Sequence, residues 1–201
     1  NNQEEYPPYF IRWDNFLTFG QSPGFCEPDE FQEIIEIFIT KDELDKARKT
    51  INYAFEQYPD EREMLYEILL ILNDYELWND LLNLSTAFEQ SGEVWGDGHR
   101  LTALLHLGME EEAFHYFRKT KLKYKDSKED ILIIYQAMGE ALLEVDLFDS
   151  SIDVVKEGIS ICGEDVDFLW LLLQGYSSTE KKDEAMDIAT KIQKQNPLDA
   201  E

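Results

Sequence analysis

Three histidines, His99, His106 and His115, are the first residues to weigh for catalysis or metal binding. A helical zinc site of the His-Glu-x-x-His kind sets two imidazoles one turn apart on one face. None of the three has that spacing, and His106 and His115 fall on opposite sides of the Gly108 turn. Structural or surface roles are expected for all three. Paired carboxylates serve acid–base hydrolysis, and the chain holds 43 Asp and Glu residues. Nothing in their spacing singles out a pair. The runs Glu110-Glu111-Glu112 and Glu164-Asp165 stand at expected helix starts, where negative charge meets the positive end of the helix dipole. Gly96-Asp97-Gly98 reads as a loop, but no strand precedes it and no Lys-Ser/Thr follows, so it is not a phosphate cradle. Cys26 and Cys162 are far apart and in no paired motif, which predicts two buried free thiols. No catalytic residue, cofactor or metal is assigned, and the chain is expected not to be an enzyme.

The charge balance narrows the partners. There are 18 Lys and Arg residues against 43 acids, a formal net charge of −25. Nucleic-acid binding draws its affinity from Lys and Arg contacts to phosphate, so nucleic acid is not an expected partner. Anionic lipid heads are repelled in the same way. The longest strongly apolar run, Ile68 to Leu72, is far short of a membrane span. A basic or neutral protein partner is favoured, although acidic surfaces also serve solubility alone. The start, Asn1-Asn2-Gln3-Glu4-Glu5, has no secretory character. The cytoplasm is the default compartment unless a signal peptide preceded it.

These residues must be carried on helices. Hydrophobic residues make up 43% and aromatics 13%, enough for a core. From residue 28 onward apolar residues recur at three and four: Phe31, Ile34, Ile35, Phe38, then Leu44, Ala47, Ile51, Ala54. That is the stripe of amphipathic helices packed in succession. Pro28-Asp29 opens the first helix, Thr40-Lys41-Asp42 breaks it, and Pro59 ends the second. The pattern then repeats. Ala54-Phe55-Glu56-Gln57 returns as Ala87-Phe88-Glu89-Gln90, an offset of 33. Ala47 corresponds to Asp80, Ala113, Ser151 and Ala185, at steps of 33, 33, 38 and 34. A period near 34 is the signature of stacked helical hairpins, none of which buries its apolar face alone.

The repeated unit resembles that of the tetratricopeptide repeat family. The first unit matches at Phe31, Ile34, Phe38, Ala47, Ile51, Ala54 and Pro59. The fourth matches at Tyr135, Met138, Gly139, Leu142, Ser151, Val155 and Gly158. The fifth matches at Leu169, Leu172, Tyr176, Ala185, Ala189, Ile192 and Pro197. The second (Met64, Ile68, Ile71, Leu84, Ala87) and third (Leu101, Leu104, Ala113, Phe117) are more degenerate. The expected fold class is therefore all-α, an α-α superhelix of about five antiparallel helix pairs. Its units cover about 28–60, 61–93, 94–126, 132–164 and 166–199.

The resemblance also implies a function and a surface. Family members are non-catalytic protein-binding scaffolds whose first helices line a concave groove. Carried onto this chain, the inward positions are Gln32 and Glu36, then Arg62, Leu69 and Asn73. Trp95 and His106 follow, then Gln136 and Glu140, and finally Trp170 and Gln174. Amides that bond a peptide backbone and tryptophans that cover its side chains suit an extended peptide. The Lys and Asn cluster with which some members clamp a terminal carboxylate is lacking. The alternative is a structural or self-assembling segment of a larger protein. A carboxylate hydrolase is a distant third.

Three segments depart from the period. The longer third-to-fourth step falls near Lys119–Lys128, the basic run of the chain, where a longer second helix or loop is expected. That run reads either as a solvated helix end or as a contact with acidic neighbours. Residues 1–27 are unusually aromatic. An extended Pro7-Pro8 stretch and a short helix capped by Asp14, over Asn15–Phe19, are expected there. They would cap the first pair, or plug a groove of this or another copy. Asn196–Glu201 looks like the opening of another unit, so the array would continue, or a homodimer would cover its end or engage the N-terminal tail.

Overall fold

The structure, a computed structural model, describes residues 6–87 and 93–195. The expectations that fall on Asn1–Glu5, Phe88–Gly92 and Asn196–Glu201 lie outside the described residues. The described residues form eleven α-helices and no strand. The chain divides into two compact units, residues 1–80 and 81–201.

The first unit holds α1 (Pro8–Phe19), α2 (Pro28–Thr40), α3 (Leu44–Gln57), α4 (Arg62–Asp74) and the start of α5 (Trp78–Ala87). Helix α1 is longer than the expected Asn15–Phe19 segment. It begins at Pro8, because a proline at the first helical position has its φ preset and loses no hydrogen bond. Pro7 just before it is extended (φ −55°, ψ 145°). Asp14, the expected cap, lies within the helix and takes Lys46 Nζ at 2.6 Å. The helix stops at Gly20, whose left-handed φ of 69° suits a residue without Cβ.

Helix α1 buries two aromatic side chains. Trp13 is 1% exposed. It meets Phe31 edge-on with ring centroids 5.0 Å apart and Tyr53 at 4.8 Å. Its indole Nε1 donates to Thr50 Oγ1 at 2.8 Å, and that hydroxyl donates in turn to the Lys46 carbonyl. Phe10 packs on Phe38 at 5.0 Å, and the Tyr9 hydroxyl donates to Glu33. Helix α2 starts with a capping box between Glu27 and Glu30, with Pro28 at its first position and Asp29 in its first turn. Its buried face is Phe31, Ile34, Ile35, Phe38 and Ile39. Tyr58, just past α3, donates to the Cys26 carbonyl at 2.9 Å and ties down the coil before α2.

The second unit continues α5 and adds α6 (Val94–His106), α7 (Glu110–Lys123) and α8 (Lys128–Glu144). Then come α9 (Phe148–Cys162), α10 (Val166–Ser178) and α11 (Lys182–Gln195). One apolar core runs through it, from Val94 and Leu101 through Phe117, Tyr135 and Val155 to Phe168, Ile188 and Ile192. Glycines let its helices approach closely. A Cβ on Gly158 would stand 2.7 Å from Phe168 and 3.0 Å from Tyr135, and one on Gly139 would stand 2.7 Å from Val155. Cys162 is buried and free, as is Cys26 in the first unit.

Gly96-Asp97-Gly98 is not a loop. It is part of the first turns of α6, and all three residues are buried. Asp97 is 2% exposed and accepts from the Tyr116 hydroxyl, from Tyr124 Oη at 2.7 Å and from Lys123 Nζ at 2.7 Å. A buried carboxylate needs such donors. They lock α6 to α7 and to the turn after it. A Cβ on Gly98 would stand 3.3 Å from Ala137, so small residues are required where α6 meets α8.

The four extra residues of the long repeat enter neither a second helix nor a loop. They lengthen a first helix: α8 has 17 residues where α6 and α10 have 13 each. Ser127 caps the added turn, accepting from the Asp130 N–H at 3.2 Å, and Glu129 and Asp130 supply first-turn acids. Both readings of the basic run describe it. Lys121 and Lys123 occupy the last turn of α7, where cations suit the dipole. Lys121 also pairs with Glu157 at 2.8 Å, as Lys123 does with Asp97.

Every first helix ends alike. A left-handed residue follows its last turn: Asp42 (φ 59°), Glu76 (56°), Gly108 (71°), Asp146 (62°) and Glu180 (58°). The next N–H closes on a carbonyl five residues back, as in Glu43 to Phe38 at 2.8 Å and Leu147 to Leu142 at 2.8 Å. Side chains other than glycine are strained there, by about 1 kcal/mol or more. Glu76→Gly and Glu180→Gly are therefore expected to stabilise the protein by about 0.5–1 kcal/mol each, and Gly108→Ala to destabilise it by about 1 kcal/mol. Urea denaturation midpoints check this. Trp13→Ala should cost about 3–5 kcal/mol, read as early urea unfolding of the first unit by circular dichroism.

Candidate functional site

Of the candidate residues, Trp95, His106, Gln136, Glu140, Trp170 and Gln174 stand on α6, α8 and α10 of the second unit. On α8, Ile133, Gln136, Glu140 and Glu144 stand at i, i+3, i+7 and i+11, one stripe of the helix. On α10, Asp167, Trp170 and Gln174 stand at i, i+3 and i+7. Gln136 joins the two, its Nε2 donating to Asp165 and to Asp167 at 3.3 Å each. Asp165 is also the N-cap of α10 and accepts from the Asp167 N–H at 3.0 Å. From α6, His106 Nε2 pairs with Glu144 Oε2 at 2.8 Å. Trp170 is 54% exposed, although a large aromatic surface is ordinarily covered.

The face is electrostatically one-sided. Partial burial pushes the Glu140 carboxyl above the usual carboxylate range, and the nearby Glu144 and Asp167 charges push it the same way.

The residues proposed from sequence divide by position. Gln136, Glu140, Trp170 and Gln174 come together on α8 and α10, with His106 beside them through Glu144. Trp95 is half-buried in the first turn of α6. In the first unit, Gln32 lines a cleft of about 320 Å³ between α2 and α4, together with Asp29, Glu61, Glu63 and Glu67. Glu36 on α2 and Arg62 at the start of α4 are exposed, and Asn73 is half-buried near the end of α4. Leu69 has no exposed surface. It belongs to the core of its helix pair, because the α4 apolar stripe is wide enough to include it, and it offers nothing to a ligand. Asp165 and Asp167 were not on the sequence-derived list, because acids at a helix start read as dipole partners, and Glu144, the last residue of α8, was not on it either.

Gly20-Gln21-Ser22-Pro23-Gly24 spells Gly-x-Ser-x-Gly, but it is coil between α1 and α2 with no strand before it, unlike a nucleophile elbow. Among the described residues, no three His, Cys, Asp or Glu side chains are grouped to hold a metal. No described helix is long and apolar enough to cross a membrane. A cleft of about 590 Å³ between α5, α6 and α7 has mixed charge, with Arg100 and His115 facing Glu111 and Glu112.

No protein-family profile matches the sequence. No curated protein matches it either. Solved structures do. A thermophilic TPR protein from Thermus thermophilus superposes with a TM-score of 0.53 at 16% identity, over 86% of this chain and 93% of that one. The chain has the tetratricopeptide-repeat fold. A tetratricopeptide repeat protein from Parabacteroides merdae superposes with a TM-score of 0.50 at 14% identity, over 86% of this chain and 68% of that one. At these identities the likeness is one of fold, the α-α superhelix class. In the tetratricopeptide-repeat arrangement α6, α8 and α10 are first helices of successive pairs.

The raised Glu140 carboxyl has a stability consequence with a definite sign. Its folded pKa lies above its unfolded one, so folding favours the protonated form. That contribution is fully present below the unfolded value of about 4.5 and is lost as pH rises through the folded value. Glu140→Gln should therefore be neutral or stabilising at pH 7. Its advantage over the wild type should shrink as pH falls toward 4.5. Paired urea titrations at several pH values measure the difference.

Proposed function

We propose that this protein is a non-catalytic scaffold that binds a peptide or protein partner on the first-helix face formed by α6, α8 and α10. The observation that carries the reading is Trp170, half-exposed on α10 one turn from Asp167, whose carboxylate takes the Gln136 amide and acts on Glu140. Tryptophan rimmed by hydrogen-bonding groups is the composition of interface hot spots. The tetratricopeptide-repeat fold supports the reading by analogy, since fold alone does not confer function. The N-terminal helix belongs to the scaffold and not to its ligand. Phe10 and Trp13 are buried in the first unit's own core, which supports α1 as a cap over the first pair.

The test is affinity capture with the wild-type chain and with Trp170→Ala as baits, each checked by its thermal melt. A truncated hot-spot tryptophan costs about 2 kcal/mol or more in binding. The variant should fold with an unchanged melting temperature and lose specifically retained proteins. Identical retention by both folded baits would refute the assignment of this face.

A further inference from the structure

The α8–α10 face has a sign as well as a shape, and the sign identifies the partner. The acids that this face carries are Glu140 and Glu144 on α8 and Asp165 and Asp167 at the start of α10. His106 reaches in from α6 and pairs with Glu144. Some acids elsewhere are paired within the protein: Asp80 with Arg48 at 2.8 Å, Glu157 with Lys121, Asp149 with Lys181 at 2.7 Å, and Glu164 with Lys191 at 2.7 Å. Asp165 and Asp167 receive only the neutral amide of Gln136 and the Asp167 backbone N–H, and Glu140 is surrounded by other carboxylates. An exposed indole one turn along α10 from Asp167 suits a side chain that is both cationic and long. The cationic head meets the acids, and the apolar stem or the charge itself lies on the ring.

We propose that the α8–α10 face docks a basic segment of a protein partner, with lysine or arginine heads taken by Glu140, Asp165 and Asp167 and their stems packed on Trp170. This deepens the protein-binding reading above and rests on it. The occupant is chosen by charge complementarity. A net charge of −25 repels acidic peptides and phosphate polymers, so the same face disfavours the commoner anionic ligands.

The experiment uses the full chain and three synthetic twelve-residue peptides of matched length. One alternates lysine and leucine, one glutamate and leucine, and one serine and leucine. Binding is measured by fluorescence anisotropy of labelled peptide at low and high salt. The lysine peptide should bind saturably and more tightly than the other two, and should weaken as salt rises. Glu140→Gln/Asp167→Asn should weaken it about tenfold. Trp170→Ala should weaken it about threefold, with Trp170→Phe in between. Circular dichroism and melting temperature confirm that each variant is folded. Equal binding of all three peptides overturns the proposal, as does lysine-peptide binding untouched by the double substitution and by Trp170→Ala. If Trp170→Ala abolishes capture of a cellular partner yet the lysine peptide is not preferred, the protein-binding reading survives and the basic partner does not.

Discussion

A helix with one apolar stripe cannot bury that stripe alone, and the structure depends on satisfying this constraint again and again. Each pair covers part of its surface internally and leaves the rest for the next helix. Phe31, Ile34, Ile35 and Phe38 in the first unit, and Tyr135, Met138 and Leu142 in the second, are the same solution at different points of the chain. The glycines at 139 and 158 and the serine at 151 belong to it as well. Where backbones come within van der Waals contact, a side chain must be missing, and the Ser151 hydroxyl donates to the Gly139 carbonyl at 2.6 Å. Helix α1 meets the same constraint, its tryptophan packing against Phe31 and Tyr53.

Much of this was legible in the sequence because periodicity and burial are the same fact seen twice. The recurrence of Phe31, Ile34, Ile35 and Phe38 reported both a helix and its buried face. The elements that escaped were those where a local signal opposed the global one. Gly96-Asp97-Gly98 looks like a loop by composition, yet tertiary packing draws it into α6. Its aspartate finds three donors there, and none of them is adjacent in sequence. Pro7-Pro8 suggests an extended chain, yet a proline is well placed as the first residue of a helix. The insertion near Lys119–Lys128 was visible as a count, but a count does not say which helix absorbs it. Ser127, with acids two and three residues later, was the cue that α8 starts early.

The candidate site was legible only in part. Trp170, Gln136 and Glu140 follow from the repeat register, whereas Leu69 shows the limit of that register. A position that faces a groove in an even array is closed over when the local stripe widens. Asp165 and Asp167 were hidden by a sufficient alternative explanation. Capping accounts for an aspartate at a helix start, and the same side chain can cap its own helix while accepting from the amide of the neighbouring one.

The left-handed turn residues have a consequence beyond helix termination. Four of the five are Asp or Glu, although glycine would sit there with less strain. Each places a carboxyl side chain at the turn between two helices. The chain thus accepts a small loss of folding stability at Asp42, Glu76, Asp146 and Glu180 and gains mutual repulsion between molecules. Helical repeats are built to stack on surfaces like their own, and a net charge of −25 opposes such stacking between separate molecules. Near the isoelectric point of about 4.3 that repulsion fades, and colloidal stability fades with it.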